Sequence, residues 1–329
     1  MRNPIFDIMK GIAMIMVIMS HTLPFVATRP LSSFWSTLFF IVSGYFAKNQ
    51  RFMDYIIKDS RRLIIPYIAS CIFMIPFIFL GNFLFDVNAW PTALKSMLSG
   101  SSSFSGELAY INIGPLWFLC ALFIVRTLWS MMNGIKNDAA KGLLIFVCAI
   151  AAWRLKQHIT LPWSILSAIG AMGFYFAGHL FQKYNLFHSS VGKKMAPIAL
   201  AALLFCVTFG YTNVNLCIYK GWYIIDVIGG IGAFITSYAL ISHFADINNR
   251  IWKFLNFFGR YSLVAFAIHA IDQCLNVHWL PFKIWDQFSA GYEQACALVI
   301  RIAIVAMGCK IISRIPFIKE KIFFIKGEK

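Results

Sequence analysis

Charge is what this sequence has least of. Only 13% of its 329 residues are charged, about half the roughly 25% of an ordinary soluble domain, which excludes a mainly solvated exterior. Acidic residues are scarcer still, 13 Asp and Glu against 29 Lys and Arg. The eight cysteines include no CxxC pair and fall mostly inside apolar runs. They therefore read as small core hydrophobes and not as metal ligands or a disulfide framework, and no metal is expected. There is no internal repeat, and no low-complexity segment beyond one short Ser/Gly stretch. No small-residue cleavage site follows the first apolar run, which is also too long and too charged in its middle for a signal-peptide core. The expectation is that it is retained.

What is there is apolar surface. Sixty per cent of the residues are hydrophobic and the mean hydropathy is +0.72. A helix needs about 17 to 25 mostly apolar residues to cross the hydrocarbon of a bilayer, and ten stretches qualify as candidates, with short connections and no room for a soluble domain. The predicted fold is an all-α polytopic membrane protein of about ten transmembrane helices, one domain over residues 1–329. A formal charge of +16 invites a nucleic-acid reading, but loop asymmetry explains it first. With the amino terminus inside, eighteen Lys and Arg residues fall in cytoplasmic segments and six outside, the remaining five lying in the spans. This predicts both termini in the cytoplasm, an even number of crossings and no nucleic-acid partner.

The first span, FDIMKGIAMIMVIMSHT at residues 6–22, carries Asp7, Lys10 and His21. At about 100° per residue, the eleven residues from Lys10 to His21 return to within about 20° of three full turns. Asp7 falls about 40° from His21, so all three share one stripe with Met14 and Ile18. Lys10 and His21 are about 16 Å apart along it. A charge at membrane depth costs roughly 2.5 to 3.5 kcal/mol on insertion scales and is a functional-site hypothesis by default.

Other candidates follow along the chain. The basic inner loop from Lys48 to Arg62 is explained by positive-inside anchoring, or by Lys58, Arg61 and Arg62 gripping a phosphate-bearing ligand. The longest outer connection, residues 86–112, contains GSSSFSGE and is expected to be mobile. Trp117, at the opening of the fourth span, is an interfacial-belt residue or a substrate contact. Gly170, Gly173 and Gly178 form a small-residue pattern for close helix packing, and GGIG at 229–232 has the same explanation because no strand precedes it. Asp226 lies within the eighth span and needs a partner or a wet cavity. In the ninth span, expected to run from residue 254, Arg260 is near the inner end. His269 and Asp272 sit at the i, i+3 spacing that lets side chains meet.

Five of these strings, in order, resemble motifs of the bacterial membrane acyltransferases known as acyltransferase family 3. FDIMKGIAMIMVIMSHT is similar to the family's Asp, basic residue, Gly and distal His pattern. FFIVSGYF, RRLIIPY, GPLWFL and GRYSLVAFAIH resemble its later signatures. Lys10 stands where many members have Arg, and the usual Arg, two residues, Arg pattern appears here as Lys58 to Arg61. The resemblance implies O-acylation, commonly O-acetylation, of a cell-surface or lipid-linked glycan from cytoplasmic acetyl-CoA, in the inner membrane of a bacterium. It makes His21, Lys10 and Asp7 the expected catalytic residues, and Lys58, Arg61 and Arg62 the expected CoA contacts. Trp117, Asp226, Arg260 and His269 are expected substrate contacts. The rival classes are a transporter or flippase of a lipid-linked saccharide, which favours paired broken helices not seen here, and a sensor or scaffold.

Overall fold

The computed structural model describes residues 3–23, 25–48, 51–85, 88, 90–102, 113–188, 190–220, 222–246, 248–279 and 290–325. These are mostly helical. In chain order the helices are α1 (Pro4–Ser20), α2 (Phe25–Tyr45), α3 (Phe52–Asp59), α4 (Ile65–Phe85), α5 (Trp90–Ser99), α6 (Trp117–Met131), α7 (Asp138–Lys156), α8 (Ile165–Lys183), α9 (Ser190–Phe209), α10 (Tyr223–Phe244), α11 (Arg250–Arg260), α12 (Ser262–Trp279) and α13 (Ala290–Ser313). Between α9 and α10 a two-residue antiparallel hairpin pairs β1 (Thr212–Asn213) with β2 (Ile218–Tyr219).

Helix α1 starts where sequence rules place it. The Asn3 side chain accepts the Ile5 N–H at 3.0 Å, Pro4 occupies the first turn and Asp7 puts an acid near the helix N-terminus. Of the side chains between Lys10 and His21 on the polar stripe, Met14 and Ile18 are fully buried, so the stripe faces protein. The partner along α1 is α11. A Cβ at Gly11 would run into the carbonyl oxygen of Leu255, and one at Gly259 into that of Asp7. Two glycines thus bring two backbones to a separation that no side chain allows. The same device joins α2 to α8, where Gly44 meets the Tyr175 carbonyl and Gly178 that of Ile41. In α10, Gly230 packs against Phe174 and Thr37, and Gly232 against Ala199. Gly170 and Gly173 likewise pack against Tyr219 and Tyr223, so close packing accounts for Gly170, Gly173, Gly178, Gly230 and Gly232.

Among the described residues, five helical stretches are long and apolar enough to cross a membrane: Phe52–Leu80, Gly114–Gly134, Pro162–Lys183, Tyr223–Phe244 and Gln294–Ser313. A sixth is added if α11 and α12 count as one bent span. That pair corrects the expected straight ninth span, because α11 and α12 meet at 81°. No proline stands at the bend, so the sequence carries no helix-breaking signal of that kind there. A second correction concerns the basic segment before the third span, which is not a loop. It is helical from Phe52 and continues through one widened turn at Ser60–Ile64, where the Ile65 N–H reaches Ser60 O. Pro66 has no N–H to return to that turn, and the extra residue absorbs the defect. A third concerns the connection 86–112, which contains α5 and an ordered corner where Ser96 Oγ donates to Ser101 O and accepts from Ile113 N–H. Most of the Ser/Gly stretch, with Glu107, lies outside the described residues.

The crossing of α1 and α11 sets a stability test. Gly11→Ala should destabilise the protein by about 1 to 3 kcal/mol, as overpacking against backbone does. Gly134→Ala, at a glycine with nothing within 4 Å of its added Cβ, should be near neutral, and thermal unfolding in detergent compares the two.

Candidate active site

His21 caps the C-terminus of α1 and opens onto a cavity of about 290 Å³. The cavity is walled by Val17 and Ser20 of α1, Thr28, Ser36 and Phe39 of α2, Pro115, Trp117 and Phe118, Phe266 of α12, and the hairpin residues Tyr211 to Asn215. His21 Nδ1 lies 2.8 Å from the Val17 carbonyl oxygen, which can only accept, so Nδ1 carries the proton. The same nitrogen is 3.4 Å from Nε2 of His269. His269, fully buried, donates its other nitrogen, Nδ1, to Asp272 Oδ2 at 3.3 Å, which leaves its Nε2 as an acceptor facing His21. The chain Asp272–His269–His21 and the Val17 carbonyl thus agree on one tautomer, in which the lone pair of His21 is on Nε2.

Arg301 of α13 closes this group. Its Nη1 donates to the His21 carbonyl oxygen at 2.9 Å and to Thr22 Oγ1 at 3.0 Å, and its Nε is 3.5 Å from Asp272 Oδ2. The last carbonyls of a helix lack intrahelical donors and carry the negative end of the dipole, so a guanidinium there fixes the end of α1. Only 2% of Arg301 is exposed.

A second cavity, about 250 Å³, lies nearer the N-terminal end of α1. Lys10, Arg126, Ser43, Ser262, Leu63 and the rings of Phe39, Phe118 and Phe266 are among its lining residues. Lys10 is held by Asp7 at 2.6 Å, and Arg126 Nε by the buried Asp59 at 2.8 Å. A third cavity, about 300 Å³, is lined by Asp54, Ile57, Lys58, Arg61, Arg62 and Phe324. Arg62 of the third cavity and Leu63 of the second are consecutive in the widened turn at Ser60–Ile64, and the two cavities share no lining residue.

The expected site residues therefore separate into groups. His21 and Trp117 line the first cavity, with His269 buried behind His21; Lys10, paired with Asp7, lines the second; and Lys58, Arg61 and Arg62 line the third. Asp226 is fully buried at the packing of α9 on α10, where Gly210 comes against its carboxylate, and is not among the lining residues of the His21 cavity. Arg260 ends α11 at the bend, two residues before Ser262 of the second cavity.

The profile of acyltransferase family 3, described as an acyltransferase domain, matches residues 3–309. The chain belongs to acyltransferase family 3. No curated protein and no solved structure matches. It is a multi-pass membrane acyltransferase. A neutral imidazole presents a lone pair to a cavity whose walls carry hydroxyl and amide groups. Two cations stand at the neighbouring cavity and three at the next.

Sequence reasoning singled out no role for Arg301 or Arg126. The signal was present, since both are cations inside apolar runs, the criterion that selected Lys10. Their acidic partners are 29 and 67 residues away in sequence, from Asp272 to Arg301 and from Asp59 to Arg126, so no local spacing reveals the pairs. The hairpin residues gave no signal, because Thr and Asn between two apolar helices read only as a connection.

Removing one partner of a buried ion pair leaves the other uncompensated, at a cost of about 3 to 5 kcal/mol. Arg301→Met should destabilise by that amount, and Arg301→Met with Asp272→Leu should recover part of it, as read by thermal unfolding of the single and double variants.

Proposed function

We propose that this chain is a membrane O-acetyltransferase of the bacterial inner membrane. It moves an acetyl group from cytoplasmic acetyl-CoA to a hydroxyl of a cell-surface or lipid-linked glycan. The observation that carries the reading is the pair of cavities beside α1 that share the rings of Phe39, Phe118 and Phe266, with Lys10 and Arg126 in one and the His21 imidazole among polar groups in the other; a third cavity, at the end of α3, adds Lys58, Arg61 and Arg62. In this reading the helices make ten crossings with both termini inside, and the basic end faces the cytoplasm. Lys58, Arg61 and Arg62 bind the phosphates of the donor, Arg as a planar fork and Lys as a point charge. Lys10 and Arg126 line the way of the pantetheine arm. Tyr211, Thr212, Asn213 and Asn215 offer hydrogen bonds to the acceptor sugar.

His21 then acts as the base. Its Nε2 takes the hydroxyl proton while the sugar oxygen bonds to the thioester carbonyl carbon. It returns that proton to sulfur as the C–S bond breaks, so the products are an ester and a free thiol and the imidazole ends neutral. His269 and Asp272 position the ring and stabilise its transient positive charge, as a carboxylate does when it orients an imidazole. In the two-step variant of the same chemistry His21 carries the acyl group itself before passing it on.

His21→Ala should leave a folded protein with transfer lowered by about 10² to 10⁴-fold, the usual worth of a positioned general base. Mass analysis of surface glycan from cells carrying each form checks it. Undiminished acetylation by the variant removes His21 from the role, while loss of the whole polymer in cells without the gene points to transport instead. Arg61→Ala with Arg62→Ala should raise KM for acetyl-CoA and leave kcat the less affected of the two, since these side chains are remote from the reacting carbon.

A further inference from the structure

The cavity that holds His21 and the cavity that holds Lys10 and Arg126 have three lining residues in common, Phe39, Phe118 and Phe266. Their rings touch one another: the centroids are 5.5 Å apart for Phe39 and Phe118, 5.0 Å for Phe39 and Phe266, and 5.2 Å for Phe118 and Phe266. They come from three helices, α2, α6 and α12, and all are at most 7% exposed. Each presents a face or edge to both spaces, so the trio is the wall between them.

We propose that Phe39, Phe118 and Phe266 form an aromatic partition through which the acyl end of the donor must pass to reach His21, and that its aperture sets the size of acyl group the enzyme transfers. The inference rests on the transferase reading given above. Its physical basis is that a donor entering past Lys10 leads with its acyl group, and the route from Lys10 to His21 meets these rings. A closed partition also keeps water from the acceptor side off the thioester, and prevents a continuous aqueous path along the protein. Phe rings are suited to this. They turn about χ1 between staggered positions and about χ2 in a broad two-fold well, without moving the backbone, so a slim group passes on a rotamer change while a branched or aromatic acyl group requires all three rings to be displaced at once. The partition is apolar on a route that is otherwise lined by Lys10, Arg126 and Ser43 on one side and by His21 and the hairpin on the other, and it therefore opposes bulk as well as charge.

The test measures acyl transfer to the envelope glycan by membranes holding wild type, Phe118→Ala or Phe266→Ala, supplied with acetyl-, isobutyryl- or benzoyl-CoA. The expected result is that each variant raises the ratio of isobutyryl to acetyl transfer by about tenfold or more, the low end of what a methylene's worth of pocket fit decides. Free thiol released from acetyl-CoA without acceptor should rise as well. A purely structural role lowers all three rates together and leaves the ratio fixed, and folded variants with an unchanged ratio overturn the partition while the transferase reading stands. A wild type inert with every donor overturns that reading and the partition with it. Phe118→Leu and Phe266→Leu, which keep most of the apolar volume, carry the same comparison where an alanine variant loses its fold.

Discussion

A charge buried in an apolar bundle must find a counter-charge, and much of this protein's arrangement follows from three such pairs. Asp7 holds Lys10, Asp59 holds Arg126, and Asp272 faces Arg301. The three carboxylates are more than nine-tenths buried, so loss of any one partner leaves a group that the surroundings cannot solvate. Each pair is asymmetric in use. The acid is spent on holding the cation, and the cation, or the ring beside it, faces a cavity. Lys10 and Arg126 converge on the same space from α1 and α6, although their acids come from different helices.

The third pair differs because an imidazole is inserted into it. Asp272 serves both Arg301 and His269, and Arg301 serves both Asp272 and the last turn of α1. The position of His21 is thereby set twice, by its backbone carbonyl through Arg301 and by its ring through Val17 and His269. Two independent restraints on one side chain suit the role proposed for His21, because small displacements of a reacting group are costly to rate. The glycine crossing of α1 on α11 supports this from the other end, fixing the first turns of α1 against the helix that precedes α12 and so relating His21 to His269 through the 81° bend.

The first span was readable without a structure. Its Asp7, Lys10 and His21 lie on one stripe by helical arithmetic, and the stripe does run beside two cavities at different depths. The i, i+3 pair of His269 and Asp272 was legible for the same reason, since helical neighbours three apart meet wherever the helix goes. The bend between Arg260 and Ser262, the contact of His269 with His21 across 248 residues, and the hairpin wall were not. Asp226 was legible only as a buried charge; that it sits where α9 packs on α10, and not in the lining of the His21 cavity, depends on the tertiary structure.

The sequence by itself determined the solvent class, the helical content, the chemistry available on each helix face and the family, because hydropathy, periodicity and motif order are local and survive in one dimension. Only the tertiary structure decided which faces meet. Long-range partners such as Asp59 with Arg126, the shared tautomer of His21 and His269, and the three rings standing between two cavities depend on close approach of backbones, and that approach is set by where glycines and bends let helices touch.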